Sequence, residues 1–183
     1  MGVPKQPLDL GGKAMIQHVL DVFTHSSLDE VVLVLSPALQ WKPKQKKGIR
    51  VVVNPRPEEG ISSSVRVGID AVSPKSEAVV IGLADKPFLL ESTIESLVNA
   101  LRNSPAEIIV PLYGGKRGNP ILFRKSLYRQ LGLLKGDVGA KVLVESKKYA
   151  ITEVPVDDEG VIFDVDTPSD LRRARKRIAA RQS

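Results

Sequence analysis

Three aspartates stand where apolar segments of the chain end. Asp85 comes two residues after the apolar residues 79–83, while Asp164 and Asp166 stand at the end of residues 161–165. Both segments are predicted strands, and residues two apart on a strand share a face, so Asp164 and Asp166 point to the same side. Carboxylates at two strand ends of one sheet are ligands that Mg²⁺ takes together with substrate phosphates and water. These residues therefore predict a magnesium site made of Asp85, Asp164 and Asp166.

Helix capping is the alternative role for such carboxylates. A lone aspartate after a strand is commonly a turn former or an N-cap, and Asp166 or Asp170 can serve the start of the last helix in this way. We interpret Asp170 as a cap residue. Asp85 is kept as the metal candidate because a second acidic strand end accompanies it.

A hydroxyl-rich segment opens a predicted helix. Gly60 and Ile61 lead into Ser62, Ser63 and Ser64 directly after a strand and a loop. Free backbone N–H groups and three hydroxyls at a helix N-terminus can bind an anion or the edge of a nucleobase. The same residues also make a helix cap, and the segment by itself favours neither role.

Two glycine-containing loops carry the polar residues of a second candidate surface. In residues 114–120, glycine lets a ligand approach the backbone, and Arg117 can hold a phosphate through two hydrogen bonds. Residues 136–141 form another such turn at the start of a helix. Each loop alone could be an ordinary turn, but beside two acidic strand ends they predict a substrate pocket.

Nucleophilic catalysis has little support in the composition. The chain has no cysteine, which excludes disulfides, thiolate nucleophiles and cysteine metal sites. Its two histidines, His18 and His25, fall on or near the first predicted helix, far in sequence from the acidic strand ends. We interpret both as structural or surface residues, and no Ser-His-Asp arrangement is indicated.

The segments that must position these residues alternate between strand and helix. Val31–Leu35 and residues 79–83 are continuous apolar runs typical of strands buried on both faces of a sheet, while residues 14–23 carry apolar side chains at helical spacing. The alternation predicts one α/β domain over residues 1–183, with a doubly wound, mostly parallel sheet and helices on both faces. The further predicted strands are Ile49–Val53, 108–110, 121–123, 151–156 and 161–165, and the further helices are 62–72, 92–101, 127–131 and 169–180.

The net charge and the hydropathy of the chain indicate whether nucleic acid or a membrane is a partner. The net charge is +6, with the basic excess in residues 42–47 and 172–177, and a basic chain raises the question of nucleic acid. Aromatic residues make up only 4%, so stacking surfaces are scarce, and we expect no nucleic-acid partner. No segment reaches the roughly 20 apolar residues of a membrane helix, and residues 1–5 show no signal region. These features favour a cytoplasmic protein with no membrane partner.

Six segments, in order and over nearly the whole chain, resemble the molybdenum cofactor cytidylyltransferases and related molybdopterin nucleotidyltransferases. These NTP-transferase-like proteins have the nucleotide-diphospho-sugar-transferase variant of the Rossmann fold, so the resemblance implies that fold here. The segments are residues 1–8 with 11–13, residues 54–55 with 60–65 and Gly68, residues 83–87, residues 117–123, residues 136–141 and residues 164–171.

The resemblance implies a Mg²⁺-dependent nucleotidyltransferase that moves CMP from CTP to the terminal phosphate of molybdopterin and releases pyrophosphate. Lys5 and Asp85 would be catalytic, and Asp85 with Asp164 or Asp166 would hold Mg²⁺. An acceptor molybdoenzyme or a chaperone would be a further partner. The implied nucleotide-binding residues are Lys5, Gly60, Ser62, Ser63, Ser64 and Asp85, and the implied substrate-binding residues are Arg117, Gly118, Asn119, Pro120, Gly136, Asp137, Gly139 and Ala140.

The sequence departs from the family pattern at several places. Lys86 stands where the family often has glutamine, Asn119 where it commonly has histidine, and Lys141 where it has an arginine. Lysine keeps the charge of that arginine but loses its bidentate fork. These departures fall in the implied substrate pocket and leave its specificity open.

The match to the family pattern begins only after the family's first strand. The strand and glycine-rich loop that precede this motif in the family are not in the sequence, so we expect an N-terminally incomplete domain. The structure should then show a gap, a borrowed strand or a re-paired sheet between Val31–Leu35 and residues 79–83. The alternatives are guanylyl transfer, another small-phosphate nucleotidyltransferase of this fold, and a catalytically inactive nucleotide- or pterin-binding protein.

Overall fold

The computed structural model describes residues 5–44 and 48–182, which form a mixed succession of helices and strands. Most predicted segments are present within a few residues of their predicted bounds. The helices are α1 Met15–His25, α2 Ile61–Ala71, α3 Glu91–Asn103, α4 Tyr128–Gly132, α5 Lys141–Glu145 and α6 Pro168–Gln182. The strands are β1 Val31–Leu35, β2 Ile49–Val53, β3 Ala78–Ile81, β4 Ile108–Tyr113, β5 Lys116–Arg117, β6 Ile121–Arg124 and β7 Ile151–Pro155.

The strands form two separate sheets. β1 and β2 make a parallel pair, and the other five make a second sheet in which β6 lies between β3 and β4. β7 pairs parallel with β4, while β6 runs antiparallel to both of its neighbours and the short β5 runs antiparallel to β4. The α/β fold class is confirmed, with β5 and β6 as its antiparallel members.

The core of the larger sheet lies on both of its faces. Ile108 and Val110 of β4 pack on one side with residues of α4 and α5, whereas Ile109 packs on the other side with Leu97 of α3. All four of these side chains are fully buried. The alternation follows from the period of two in a strand, and it confirms helices on both faces of the sheet.

A break in pairing separates β1 from β3. Each strand is paired along one edge only, β1 with β2 and β3 with β6, and no strand of the described residues lies between them. The expected gap is therefore present. The prediction that both strands are buried on both faces is wrong, because Val31, Val32, Leu33 and Val34 and all of β3 are only partly buried.

The predicted strand at residues 161–165 is also wrong. Glu159–Val161 is a 3₁₀ turn instead, closed by the Asp158 carboxylate, which accepts a hydrogen bond of 2.8 Å from the Gly160 N–H. The residues that follow this turn join no sheet in the described part of the chain. Val165 donates its N–H to the backbone oxygen of Asp85 at 3.1 Å, so a single loop contact replaces a ladder.

None of the helices described is both long enough and apolar enough to cross a membrane.

Candidate active site

Lys5 joins two of the predicted aspartates. Asp85 lies in the turn after β3, and the Lys5 Nζ donates to its Oδ2 at 3.2 Å and also to Oδ1 of Asp166. The contact between Val165 and the Asp85 backbone holds the 164–166 segment beside this turn. The predicted convergence of Asp85 with the acidic pair is therefore found, although Asp164 turns to another partner.

The charge on Lys5 is stabilised by its surroundings. Partial burial works to lower the pKa of Lys5, but the hydrogen bond to Asp166 and the negative charge of Asp85 outweigh it and raise the pKa above its ordinary value. Lys5 therefore stays protonated through the physiological range. It places a fixed positive charge at the carboxyl end of β3, which is where a phosphate would be neutralised in a sheet of this kind.

Lys86 is a polar residue of the site for which no role was predicted. Its side chain is 3% exposed, and its Nζ lies 2.7 Å from Oδ1 of Asp164, whose side chain is 42% exposed. Lys86 and Asp85 both follow the end of β3, so no strand periodicity in the sequence pointed to this pairing. Asp164 and Asp166 are thus divided between two lysines.

The donor atoms here suit a divalent cation. Oδ1 of Asp85 is buried and accepts no hydrogen bond from the residues that the structure describes. The described residues contain no group of three or more His, Cys, Asp or Glu side chains arranged to hold a metal ion. An ion at this position would therefore take Asp85 and Asp166 from the chain and its other ligands from substrate phosphates and water, as Mg²⁺ commonly does.

The start of α2 is already hydrogen bonded within the chain. Ile61 donates its N–H to Oδ1 of Asp137, Ser62 donates its N–H to the Gly136 oxygen and Ser63 donates its N–H to the Gly60 oxygen. These three N–H groups, which were expected to be free, are occupied. Fully buried Ser62 accepts from Arg66 at 3.2 Å.

Asn54 organises the other hydroxyls of this segment and was not predicted as a site residue. Its side chain is 1% exposed and donates to the hydroxyls of Ser63 and Ser64 at 2.7 and 3.1 Å. The Asn-Pro pair after β2 was the sequence signal for it. Ser64 also lines a cavity that is shared with Ala84, so the start of α2 and the end of β3 open into one space.

The implied nucleotide and substrate segments are in direct contact. A Cβ added to Gly60 would lie 2.6 Å from the Cα of Asp137, so only glycine allows the two loops to approach this closely. Gly60 has φ of 89°, in the left-handed region that favours glycine. A Cβ added to Gly139 would lie 3.6 Å from the Ile61 side chain, and Ala140 is buried. The structure thus brings residues 60–64 and 136–140 together.

The loop containing Arg117 lies against a different part of the chain. Arg117 donates its Nε to Glu153 at 2.6 Å and is largely exposed. Gly118 packs against the Val161 oxygen, and Asn119 donates its N–H to that same oxygen at 2.9 Å. Pro120, which follows, is buried. This loop therefore joins the turn that leads to Asp164 and not the start of α2.

Three proteins of similar sequence have different described roles. The chain is 30% identical to the purine catabolism protein PucB of Bacillus subtilis, over 98% of this chain and 91% of that one. It is 26% identical to the nicotine blue oxidoreductase of Paenarthrobacter nicotinovorans, over 93% and 87%. It is 28% identical to the molybdenum cofactor cytidylyltransferase of Escherichia coli, over 72% and 65%.

Solved structures agree with the fold. The homologue of Mycobacterium tuberculosis Rv0371c from Mycobacterium sp. strain JC1 superposes with a TM-score of 0.84 at 26% identity, covering 98% of this chain and 90% of that one. Rv0371c of Mycobacterium tuberculosis in complex with manganese superposes with a TM-score of 0.78 at 28% identity, covering 96% and 93%. The family model of the MobA-like NTP transferase domain matches residues 1–152. The chain therefore belongs to the MobA-like family of NTP transferase domains, within the nucleotidyltransferase superfamily.

Proposed function

We propose that this nucleotidyltransferase moves CMP from CTP to a molybdopterin-type phosphate, with Mg²⁺ as its cofactor. The observation that carries the proposal is the cluster at the carboxyl end of β3, where Lys5 joins Asp85 to Asp166 and one Asp85 oxygen accepts no hydrogen bond within the described part of the chain. A lysine beside two carboxylates suits a triphosphate and a divalent cation together. The similarity to a molybdenum cofactor cytidylyltransferase supports the choice of CTP and pterin.

The proposed reaction is a single displacement. A terminal phosphate oxygen of the acceptor forms a bond to the α-phosphorus of CTP, and the bond from that phosphorus to the bridging oxygen breaks, releasing pyrophosphate. Asp85 and Asp166 would hold Mg²⁺, and the bound ion would neutralise charge on the phosphates. Lys5 neutralises and orients the same phosphates, and no covalent intermediate with the chain is needed.

The two substrates are assigned to different loops. Residues 60–64 with Asn54 provide polar groups for the base and ribose, with Ser64 lining the shared cavity. Residues 136–140 and 117–120 are proposed for the acceptor, and Arg117, largely exposed, can exchange Glu153 for a phosphate. Base selectivity depends on a few such contacts, so guanylyl transfer, or transfer to another small phosphate, is the alternative within this fold.

The decisive experiment measures label transfer. The chain is incubated with purified molybdopterin and each of the four α-³²P nucleoside triphosphates, with Mg²⁺ or Mn²⁺ and with no metal. We expect label on the pterin from CTP only, and only with a divalent cation. Transfer from GTP would contradict the CTP assignment. Nucleotide or pterin binding without transfer from any of the four would contradict an enzymatic role and indicate a binding protein.

A further inference from the structure

Two lysines hold the three aspartates of the site, and these lysines differ in burial. The Lys5 side chain is 24% exposed and contacts Asp85 and Asp166. The Lys86 side chain is 3% exposed and contacts Asp164, with 2.7 Å between its Nζ and Oδ1 of the aspartate. The charge of Lys86 therefore lies in the interior of the protein, whereas water reaches Lys5.

Burial ties Lys86 to its partner. Residues 87–89, which follow it, are buried too, and the Asp164 carboxylate compensates its ammonium group. A buried ammonium that loses its carboxylate stays desolvated without compensation. Asp164 therefore cannot turn to a metal ion without leaving a buried charge unpaired. The partly exposed Lys5, in contrast, can release its carboxylates at little cost.

The segment 163–166 is anchored by apolar and backbone contacts. The Phe163 ring packs edge-on against Phe88, with 5.2 Å between the ring centroids. Val165 is fully buried and donates its N–H to the backbone oxygen of Asp85 at 3.1 Å. None of these contacts involves the buried ammonium, so they would hold the backbone of the segment in place without it.

Asp164 has the chain position of a further metal ligand. Asp164 and Asp166 flank Val165, the residue whose N–H meets the Asp85 backbone, so the two aspartates are equally near this point along the chain. The described residues nevertheless contain no group of three acidic side chains arranged to hold a metal ion. The contact with Lys86 is what directs the Asp164 carboxylate elsewhere.

We propose that Lys86 is a positioning residue that keeps Asp164 away from the divalent cation, so that the chain offers the ion two carboxylates and not three. This role rests on the metal site of the proposed function. Two carboxylates balance the charge of the ion and leave its other positions to phosphate oxygens and water, as Mg²⁺ prefers. A third carboxylate would add net negative charge where a triphosphate must bind, and the two would repel each other.

Binding of Mn²⁺ alone tests this role without any turnover. Electron paramagnetic resonance gives the affinity, and line broadening in ¹⁷O-enriched water counts the water ligands of the bound ion. Lys86→Gln has no charge to hold Asp164. We therefore expect Mn²⁺ to bind about tenfold more tightly, because affinity rises with the number of charged ligands, and a carboxylate to replace a water ligand. Lys86→Met, which also releases Asp164, should have the same effects.

Two further variants serve as controls. Lys86→Gln combined with Asp164→Asn lacks the third carboxylate, so the affinity and the number of water ligands should return to those of the unchanged chain. Lys125→Gln controls for net charge and should change neither quantity. Lys125 lies at the opposite end of β3 from Asp85, where its N–H bonds the oxygen of Glu77 just before the strand begins.

The outcomes separate the role of Lys86 from the metal site itself. Tighter binding with an unchanged number of water ligands would overturn the role in favour of a simple effect of charge. Unchanged affinity in both Lys86 variants, with binding still lost in Asp85→Asn, would overturn the role and leave the metal site standing. Mn²⁺ binding that Asp85→Asn leaves intact would contradict the metal site of the proposed function, and the role of Lys86 with it.

Discussion

At the residue scale, the acidic positions of the site have unequal partners. Asp85 and Asp166 share Lys5, while Asp164 pairs with the buried Lys86. Asp164 and Asp166 therefore differ in role although they are only two residues apart. Asp166 lies at an exposed edge of the site, whereas Asp164 compensates the buried charge of Lys86. The contrast allows function and stability to be tested separately.

Asp85→Asn should abolish most metal-dependent transfer. The change removes the charge that would hold Mg²⁺ while keeping the shape of the side chain, and loss of several kcal/mol of charge stabilisation corresponds to about a 100-fold or greater fall in kcat. The measurement is kcat for CTP-dependent labelling at saturating Mg²⁺. Asp70→Asn, at an exposed position of α2, is the matched control and should keep full activity. Retained turnover in Asp85→Asn would contradict the metal assignment.

Removing Asp164 should lower the free energy of unfolding more than removing its partner Lys86. Asp164→Ala leaves a buried ammonium without its partner and should cost about 2 kcal/mol, because partly exposed Asp164 limits the strength of the pair. Lys86→Met leaves a carboxylate that water can reach, and the expected cost is below about 1 kcal/mol. Urea unfolding of both variants and of the double variant checks this. Equal costs, or a larger cost for Lys86→Met, would contradict it.

At the scale of secondary structure, single carboxylates fix where helices begin. Asp158 is 3% exposed and accepts from the Leu90 N–H at 2.9 Å and the Thr93 hydroxyl at 2.6 Å, at the start of α3. Its other oxygen closes the 3₁₀ turn at Gly160. One side chain therefore ties α3 to the segment that carries Asp164 and Asp166, and so helps to position the site.

Asp158→Ala should destabilise the chain strongly. It leaves the buried Thr93 hydroxyl and Gly160 N–H and the part-buried Leu90 N–H without their acceptor, and at 1–3 kcal/mol for each buried group the expected loss is about 2 kcal/mol or more. Asp157→Ala, at the exposed neighbouring position, is the control and should change the free energy of unfolding by less than about 0.5 kcal/mol. Thermal and urea unfolding measure both. Similar values for the two variants would show that Asp158 does not organise α3.

The start of α6 should depend on acid pH. The hydroxyl and N–H of Thr167 donate to Oδ2 of Asp170 and lower the pKa of that carboxyl below its ordinary value. Because the folded pKa lies below the unfolded one, this contribution to stability is complete above about pH 4 and is lost as the pH falls through the folded pKa. It supports the interpretation of Asp170 as a cap residue.

An NMR titration of Asp170 tests this directly. Thr167→Val removes the hydroxyl donor and should raise the pKa of Asp170 towards its ordinary value, because the carboxylate loses its largest source of stabilisation. Ser169→Ala removes an exposed neighbouring hydroxyl and should leave the titration unchanged. An unshifted titration in Thr167→Val would contradict the capping arrangement.

At the scale of the whole molecule, stability should be uneven across the two sheets. β4 is paired on both edges, with β6 and β7, and Ile108, Ile109 and Val110 are fully buried. β1 is paired on one edge and only partly buried over Val31, Val32, Leu33 and Val34. Amides on an edge beside a cavity can open locally, whereas those of a doubly paired strand open mainly with global unfolding.

Amide hydrogen exchange of the 183-residue chain should therefore differ between β1 and β4. We expect β4 amides to exchange with the free energy of global unfolding and β1 amides to exchange by a cheaper local opening that is insensitive to low concentrations of urea. Residue-resolved exchange in increasing urea distinguishes the two regimes. Equal protection and equal urea dependence in β1 and β4 would contradict the inequality.

The sequence by itself determined most of the strand and helix order, and it also pointed to most of the candidate site. Continuous apolar runs end at polar residues, and such runs predicted β1, β3 and the carboxylate at Asp85 because a buried strand must be apolar until it emerges. The capping pair Thr167 and Asp170 was equally predictable, since its hydrogen bonds lie within four residues. Local interactions of this kind are encoded in short spacings.

The tertiary structure alone decided which distant residues meet. Residues 161–165 are apolar enough for a strand, but Asp158 closes a turn there and the Asp85 backbone takes the remaining contact. Lys86 pairs with Asp164, and Asp137 caps α2, across 78 and 76 residues of chain. The cavity between β1 and β3 likewise depends on how two apolar strands are placed relative to each other. Spacing within either segment carries no information on these contacts, because they arise only when packing brings separate segments together.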